Sequence, residues 1–345
     1  MRRSTACCGS RHIARPRSRL ARSRLALIAL GAACGGGGPE PLPPPPEPAL
    51  AVLDTTRVVQ AEMRNVGFQI DSGVVLEISR LRGTLIPTSD TAPPAINDPR
   101  SFTLSISTAT IAIDTASLGN LLTRHVFNYK GSPLGHLRVS IEGDTLIQKG
   151  ILKKGIHLPF TVRSQASLTD DGLIRLHPTS IKVLGLGARH LMRFFGLSLE
   201  ELAKVAPGRG VRIDENDFLL DATALLPPPR TKGRLTAMSV RNGRVYQVFG
   251  SVAAADSNRL SRPDTSVANY MYFREGRLRF GNLIMAKADL LILDDDPTDR
   301  LDFSLPRYMD QLVAGYHVTT KVDGLIVYMP DRGDLRARTG PTKPH

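Results

Sequence analysis

The stretch from Leu137 to Val183 constrains the fold most, because its apolar residues alternate with polar ones between short turns. The alternating apolar positions are Leu137, Val139 and Ile141, then Ile156, Leu158, Phe160 and Val162, then Ile174 and Leu176. These runs are separated by turn sequences at Gly143-Asp144, Lys154-Gly155 and Asp171-Gly172. Alternation with a period of two is typical of strands with one apolar face. The sequence therefore predicts an antiparallel meander whose apolar face must pack against other elements.

The segments on either side of this meander predict further strands. Asn242-Gly243 favours a type I′ turn with positive φ at both residues, so it predicts a hairpin of Arg234 to Val240 and Arg244 to Phe249. The other candidate strands are Val66 to Asp71, Val74 to Leu81, Phe102 to Ile113, Tyr270 to Phe273, Leu278 to Met285, Leu290 to Leu293 and Leu325 to Met329.

Three segments change to helical spacing. Ala116 to Phe127 is predicted to be an amphipathic helix, with Asp114 or Thr115 available as its N-cap. Leu305 to Ala314 is predicted to be another helix. One side of a further helix is formed by Leu191, Phe194 and Phe195. The predicted fold class is therefore α+β, a curved antiparallel β-meander sheet packed on a few amphipathic helices.

The formal charge of +13 is concentrated at the N-terminus and does not indicate a nucleic-acid-binding body. Residues 1 to 33 contain eight Arg and no Asp, Glu or Lys, so about +5 remains for the rest of the chain. Trp is absent and aromatic residues make up 5% of the chain, so stacking platforms for bases are scarce. We expect no nucleic-acid partner, whereas an anionic membrane surface stays compatible with the mildly basic body.

All three cysteines lie in the first 34 residues, and Cys34 has the context of a lipid attachment site. An Arg-rich stretch is followed by the apolar run from Leu25 to Ala33 and then by Cys34. This order resembles a bacterial lipoprotein signal peptide, in which Cys34 would be acylated. The alternatives are an ordinary secretory signal cleaved after Ala33 and a disordered N-terminus. The rest of the chain has no thiol for a disulfide, a zinc site or a nucleophile.

The residues after Cys34 predict a tether. The segment GGGGPEPLPPPPEP contains seven Pro and almost nothing to bury, so it is extended and partly stiff. No later apolar run approaches the roughly 20 residues that span a bilayer. We expect a body that faces the periplasm in a bacterial cell envelope. The expected divisions are a signal peptide (1–33), the tether (34–50), a lipid-binding-like β-rich domain (51–260), a C-terminal extension that continues the sheet with one helix (261–331) and a disordered tail (332–345).

The sequence contains no motif that would assemble a catalytic or metal centre. A Ser nucleophile elbow, a phosphate-binding Gly loop and the paired His spacing of metalloproteases do not occur. Asp294, Asp295 and Asp296 could hold a hard cation, but they lack the spaced ligands of an EF-hand and are better explained as a solvated turn. We therefore expect no enzyme activity, no cofactor and no metal. A hydrolase whose residues are unmarked in the sequence is a third alternative to the functions considered below.

A family resemblance covers Ala166 to Gly250. The sequence there is ASLTDDGLIRLHPTSIKVLGLG, then a predicted helix, then LLPPP, then GRLTAMSVRNGRVYQVFG. This order of strands, helix, Leu-Pro element and hairpin resembles the LmeA family of bacterial phospholipid-binding proteins and, more distantly, the TULIP superfamily of tubular lipid-binding domains. AsmA-like envelope proteins are a related possibility. The resemblance implies a TULIP-like fold, in which a strongly curved sheet wraps a helix around an apolar lipid channel.

Two functions follow as expectations. The first is a membrane-anchored envelope lipoprotein that binds phospholipid or another apolar ligand in a cavity between sheet and helices. The second is a structural envelope protein with a filled core that binds a protein partner of unknown identity. The candidate cavity lining for the first function is Leu121, Leu122, Val126, Leu191, Phe194 and Phe195.

The lipoprotein interpretation predicts that Cys34→Ser releases the protein from the membrane fraction. One acyl chain gives only marginal membrane residence and several chains give stable attachment, so loss of the modified cysteine removes the anchor. Cell fractionation followed by immunoblotting measures this distribution. Unchanged membrane association of the Cys34→Ser variant would contradict lipidation at this residue.

Overall fold

Two large β-sheets dominate the computed structural model of this protein. Strands are far more abundant than helices, which confirms the expectation of a β-rich α+β chain. The structure describes residues 58–154, 156–184, 186–187, 208–251 and 260–336.

The strands in chain order are β1 (Val59–Asp71), β2 (Val74–Pro87), β3 (Phe102–Asp114), β4 (Leu134–Glu142), β5 (Thr145–Lys154), β6 (Ile156–Leu168), β7 (Ile174–Val183), β8 (Leu186–Gly187), β9 (Val211–Asp214), β10 (Asp217–Leu220), β11 (Arg230–Lys232), β12 (Leu235–Arg241), β13 (Arg244–Phe249), β14 (Tyr270–Arg274), β15 (Leu278–Phe280), β16 (Leu283–Met285), β17 (Asp289–Asp294), β18 (Tyr316–Thr319) and β19 (Leu325–Met329). The α-helices among the described residues are α1 (Thr115–Leu121) and α2 (Tyr308–Ala314).

The first sheet contains ten strands. Its neighbouring strands follow the order β12, β13, β3, β2, β1, β14, β17, β19 and β18, and β11 pairs with β3. The C-terminal strands join the sheet through β14, which is antiparallel to β1 on one side and to β17 on the other. β17 and β19 run parallel, so the carboxyl ends of these two strands lie at the same edge of the sheet.

The second sheet contains seven strands and confirms the predicted antiparallel meander. Its order is β4, β5, β6, β7, β10 and β9, with β8 paired to β7. The alternation of the sequence sets which residues face inward, and Leu158, Phe160 and Val162 of β6 are all buried. The register shifts between Arg163 and Ser164, where β6 pairs with β7.

The apolar faces of the two sheets share one continuous core. This core includes residues from the first sheet, such as Leu76 and Ile113, together with Leu146 and Leu176 from the second sheet. Among the described residues, the first sheet supplies most of the cover for the meander. α1 is only two turns long and packs beside β2 and β4, and the helix predicted after the meander lies outside the described residues.

α1 begins where the sequence predicts. The side chain of Asp114 accepts a hydrogen bond from the backbone N–H of Ser117 at 2.6 Å, which caps the helix N-terminus. The helix continues into a π-helical turn at Leu122–Val126, so the predicted helical stretch to Val126 is present in two forms. Thr123 Oγ1 accepts from the N–H of Leu137 at 3.1 Å and fixes this turn against β4.

Two predicted strand regions have different outcomes. Asn242 and Gly243 have φ values of 50° and 70°, so the predicted two-residue turn between β12 and β13 is confirmed. The segment from Leu278 to Met285, predicted to be one strand, is a separate hairpin of β15 and β16. Gly281 has a φ of 58° in the turn, a conformation that ends a strand.

Several predicted features lie outside the described residues. These are Cys34, the tether and the helix carrying Leu191, Phe194 and Phe195. Neither α1 nor α2, nor any other helix within the described ranges, has the length and apolar character needed to cross a bilayer.

Candidate functional site

An apolar cavity lies between the two sheets, beside α1. The first sheet contributes Ile113 of β3 and Phe249 of β13 to its wall, and the second sheet contributes Leu146 of β5, Ile181 of β7 and Phe218 of β10. These residues face inward because strand alternation sends every second side chain to the core. The site is therefore built by long-range pairing of two sheets rather than by one local motif.

The cavity is narrow and partly open to solvent. About 130 Å³ of it is wide enough for the centre of a water molecule, and the whole space between the facing side chains, solvent margin included, is about 1470 Å³. A cavity of about 150 Å³ accepts a benzene molecule, whereas common ligand pockets measure about 300 to 1,000 Å³. A ligand that enters without moving the wall must fit the volume of about 130 Å³, so the cavity suits a slender apolar group.

A second apolar cavity lies next to the first, against the inner face of the first sheet. It measures about 60 Å³ and reaches toward β14, where Met271 and Phe273 form part of its wall. The two cavities share wall residues, namely Leu76, Ile106, Ile111, Leu226 and Thr231. A long, thin ligand could extend from one cavity into the other past these shared side chains.

The wall carries few polar groups. Gln148 of β5 and Gln247 of β13 offer side-chain amides, which both donate and accept hydrogen bonds. Two hydroxyl groups are already engaged by the chain, because Thr223 donates to Asp221 at 2.7 Å and Thr231 donates to the carbonyl of Pro229 at 3.2 Å. The two glutamines therefore provide the wall's adaptable polar contacts.

The described residues that line the cavity include no ionisable side chain. These described wall residues consequently contribute no charge attraction to ligand retention, and the binding energy that they offer comes from apolar burial. This composition favours an uncharged chain and leaves any charged ligand group at the solvent margin.

The sequence-predicted lining residues have three outcomes. Leu121 and Leu122 are buried and line the cavity. Val126 is buried in the core but does not lie on the cavity wall. The remaining candidates lie outside the described residues, and these are Leu191, Phe194 and Phe195.

Most of the wall was missed by the sequence reasoning. The alternation in β7 and β13 indicates that Ile181 and Phe249 face inward, but it does not indicate that these strands face one another across a gap. The same pattern would occur in a fully packed core. Only the placement of the two sheets distinguishes a wall residue from an ordinary core residue.

Two histidines pair with carboxylates away from the cavity. His177 Nδ1 donates to Asp217 at 2.7 Å, and His125 Nε2 donates to Asp71 at 2.9 Å. His177 is more than half exposed, so water competes for its hydrogen bond and the contact contributes little to stability. Neither histidine lines the cavity, so these pairs offer no polar group to a ligand there.

Comparisons of the chain with models of protein families, with curated proteins and with solved structures found no match. Membership of the LmeA family or the TULIP superfamily therefore stays a prediction from the sequence pattern.

The free space in the wall predicts that Ala222→Leu is tolerated. Ala222 lines the cavity, whereas Ala288 is fully buried in the core away from the cavity wall. In a close-packed core, such an enlargement costs about 1 to 3 kcal/mol. We expect Ala222→Leu to leave the free energy of unfolding unchanged or higher, and Ala288→Leu to lower it. Urea denaturation measures both, and an equal loss in the two variants would show that the space beside Ala222 is filled.

Proposed function

We propose that this protein binds an apolar ligand with a slender chain, such as the acyl chain of a phospholipid or of a free fatty acid, between its two sheets. The observation that supports this proposal is the narrow apolar cavity walled by both sheets and by α1. The adjacent cavity toward β14 would extend this space for a long, thin acyl chain if the shared side chains moved aside. A TULIP-like enclosure of lipid by a curved sheet is part of the same proposal.

Apolar burial alone would give useful affinity. Each 100 Å² of apolar ligand surface removed from water contributes about 2.5 kcal/mol. An extended acyl chain exposes several times that area, so partial insertion would offset the cost of ordering the chain. Gln148 and Gln247 could donate to one uncharged ester carbonyl, whereas a fatty-acid carboxylate would stay at the solvent margin.

The volume of the cavity favours a ligand with one acyl chain over a ligand with two. The part of the cavity that admits a water molecule, about 130 Å³, falls below the usual size of a ligand pocket, so a second acyl chain would require the sheets to move apart. We therefore expect a single-chain amphiphile to bind without rearrangement. A two-chain phospholipid would place one chain between the sheets and keep its headgroup in water.

Anchoring at Cys34 would place the protein beside a membrane that contains such ligands. If Cys34 is acylated, the Pro-rich tether would hold the body close to a membrane in the bacterial envelope, with the cavity facing the periplasm. A local membrane offers acyl chains at high effective concentration. This localisation rests on the sequence interpretation and forms part of the proposal.

A structural role with a protein partner is the second candidate, and one surface favours it. β18 is an edge strand of the first sheet, and all four of its residues are exposed. Val318 of this strand and the nearby Val313 and Val322 are exposed apolar side chains. An open edge can pair with a strand of another protein, so this surface would serve a scaffold.

Lipid analysis of the purified full chain tests the lipid-binding proposal. Protein prepared without detergent should yield lipid in an organic extract analysed by mass spectrometry. It should also bind a fluorescent fatty acid saturably, and a fluorescent two-chain phospholipid more weakly. We expect Ala222→Phe to lower the fatty-acid affinity by about tenfold, because the ring occupies the space that the chain would use.

Ala237→Phe is the matched control. Ala237 is exposed on β12, so the same enlargement there should leave the fatty-acid affinity unchanged. Melting temperatures of both variants separate loss of binding from loss of folding. Absence of extractable lipid together with absence of saturable binding by the wild type would overturn the proposal in favour of the structural role.

A further inference from the structure

Three carboxylates meet at the edge of the first sheet where β17 and β19 end. Asp294 is the last residue of β17, Asp331 follows β19 by two residues, and Asp299 lies in the loop after β17. Parallel pairing brings the ends of the two strands together. One carboxylate oxygen from each residue lies within 4.8 Å of the others. This group is separate from the cavity and was not indicated by sequence spacing.

Asp294 differs from the solvated turn residue that the sequence predicts. Its side chain is only 1% exposed. Its Oδ1 accepts from the N–H of Asp296 at 3.0 Å, but the buried Oδ2 has no hydrogen-bond partner. Asp331 Oδ1 is likewise buried without a partner. Leaving charged oxygens dry and unpaired is costly, so these two atoms indicate a missing electropositive ligand.

Arg300 and Arg332, which follow Asp299 and Asp331 in the sequence, form ion pairs with other carboxylates. Arg332 Nε binds Asp302 Oδ2 at 2.9 Å, and Arg300 Nη1 binds Glu77 Oε1 at 3.3 Å. Burial and the neighbouring carboxylates raise the pKa of Asp294 to about 7 and that of Asp331 to about 6. Among the described residues, none of the three acids forms an ion pair with a basic side chain.

The loop that carries Asp299 is held in place by hydrogen bonds. Asn269 Nδ2 donates to the carbonyl of Pro297 at 3.3 Å and also to the carbonyl of Asp299. Asn65 Nδ2 donates to Asn269 Oδ1 at 2.7 Å and so orients this amide. The position of Asp299 is consequently set by the sheet before any ion binds.

We propose that Asp294, Asp299 and Asp331 bind a hard divalent cation, with Ca²⁺ preferred. Carboxylate oxygens are the ligands that such cations prefer, and Ca²⁺ takes them at about 2.3 to 2.6 Å. Oxygens that lie within 4.8 Å of one another are close enough for one such ion to contact all three. Ca²⁺ accepts irregular oxygen geometry, whereas Mg²⁺ demands a near-ideal octahedron and gives up its waters reluctantly, so three carboxylates on two strands and a loop favour Ca²⁺.

The proposed ion would have a structural role. It would join the ends of β17 and β19 to their connecting loop, and exposed Asp299 leaves room for water to complete the coordination. The proposal is independent of ligand binding between the sheets, because none of the three acids lines the cavity.

Calorimetric titration of the chelator-treated full chain with CaCl₂, MnCl₂ and MgCl₂ tests the proposal. We expect one Ca²⁺ to bind, a melting temperature that rises with Ca²⁺, and weaker binding of Mg²⁺. Asp294→Asn and Asp331→Asn keep the side-chain shape and remove one charge each, so each should weaken Ca²⁺ binding by about tenfold or more. Asp144→Asn, in the turn between β4 and β5, is the control and should bind Ca²⁺ as the wild type does.

Two results would overturn the cation site. One is the absence of binding heat and of any change in melting temperature with all three salts. The other is Ca²⁺ binding that Asp294→Asn and Asp331→Asn leave unchanged, because the ion would then lie elsewhere. In the first case, a higher melting temperature of either Asn variant in chelator would show that the three acids only repel one another.

Discussion

Face-to-face burial of the two sheets is the contact on which both the fold and the proposed site depend. A sheet with one apolar face cannot remain in water alone, and α1 is too short to cover the meander. The first sheet therefore covers the second, and their residues share one core. Where the facing side chains do not fill the space, the same contact leaves a cavity. Because a ligand in that space would bind only the folded protein, ligand binding and folding stability are coupled.

Local features of the fold could be predicted from the sequence. The meander follows from alternation between turns, the β12–β13 turn follows from Asn242-Gly243, and α1 follows from the Asp114 cap. Each of these elements is determined by residues that are close together in the sequence, so the packing of distant segments does not alter it. The division of Leu278 to Met285 into two strands was missed, although Gly281-Asn282 in the middle of the segment is itself a two-residue hairpin signal.

Long-range arrangements could not be predicted in the same way. Alternation assigns a residue to a face but does not identify the opposing sheet, so the cavity wall formed by Ile181 and Phe249 was missed. Continuous apolar runs in β14 and β17 arise because both faces are buried, with Tyr272 and Leu291 in a separate cluster on the outer face. Asp294 resembled a solvated turn residue because the parallel pairing of β17 with β19 is invisible in local sequence.

Photolabelling of the full chain with a diazirine-bearing fatty acid tests the central claim most directly, since it reports where the chain lies. Peptides labelled on irradiation can be mapped by mass spectrometry with and without an excess of unlabelled fatty acid. The account predicts competed labelling in β5, β7 and β13, the strands that place Leu146, Ile181 and Phe249 on the cavity wall. Labelling confined to the exposed surface of β18 and α2, or labelling that unlabelled fatty acid does not reduce, would contradict it.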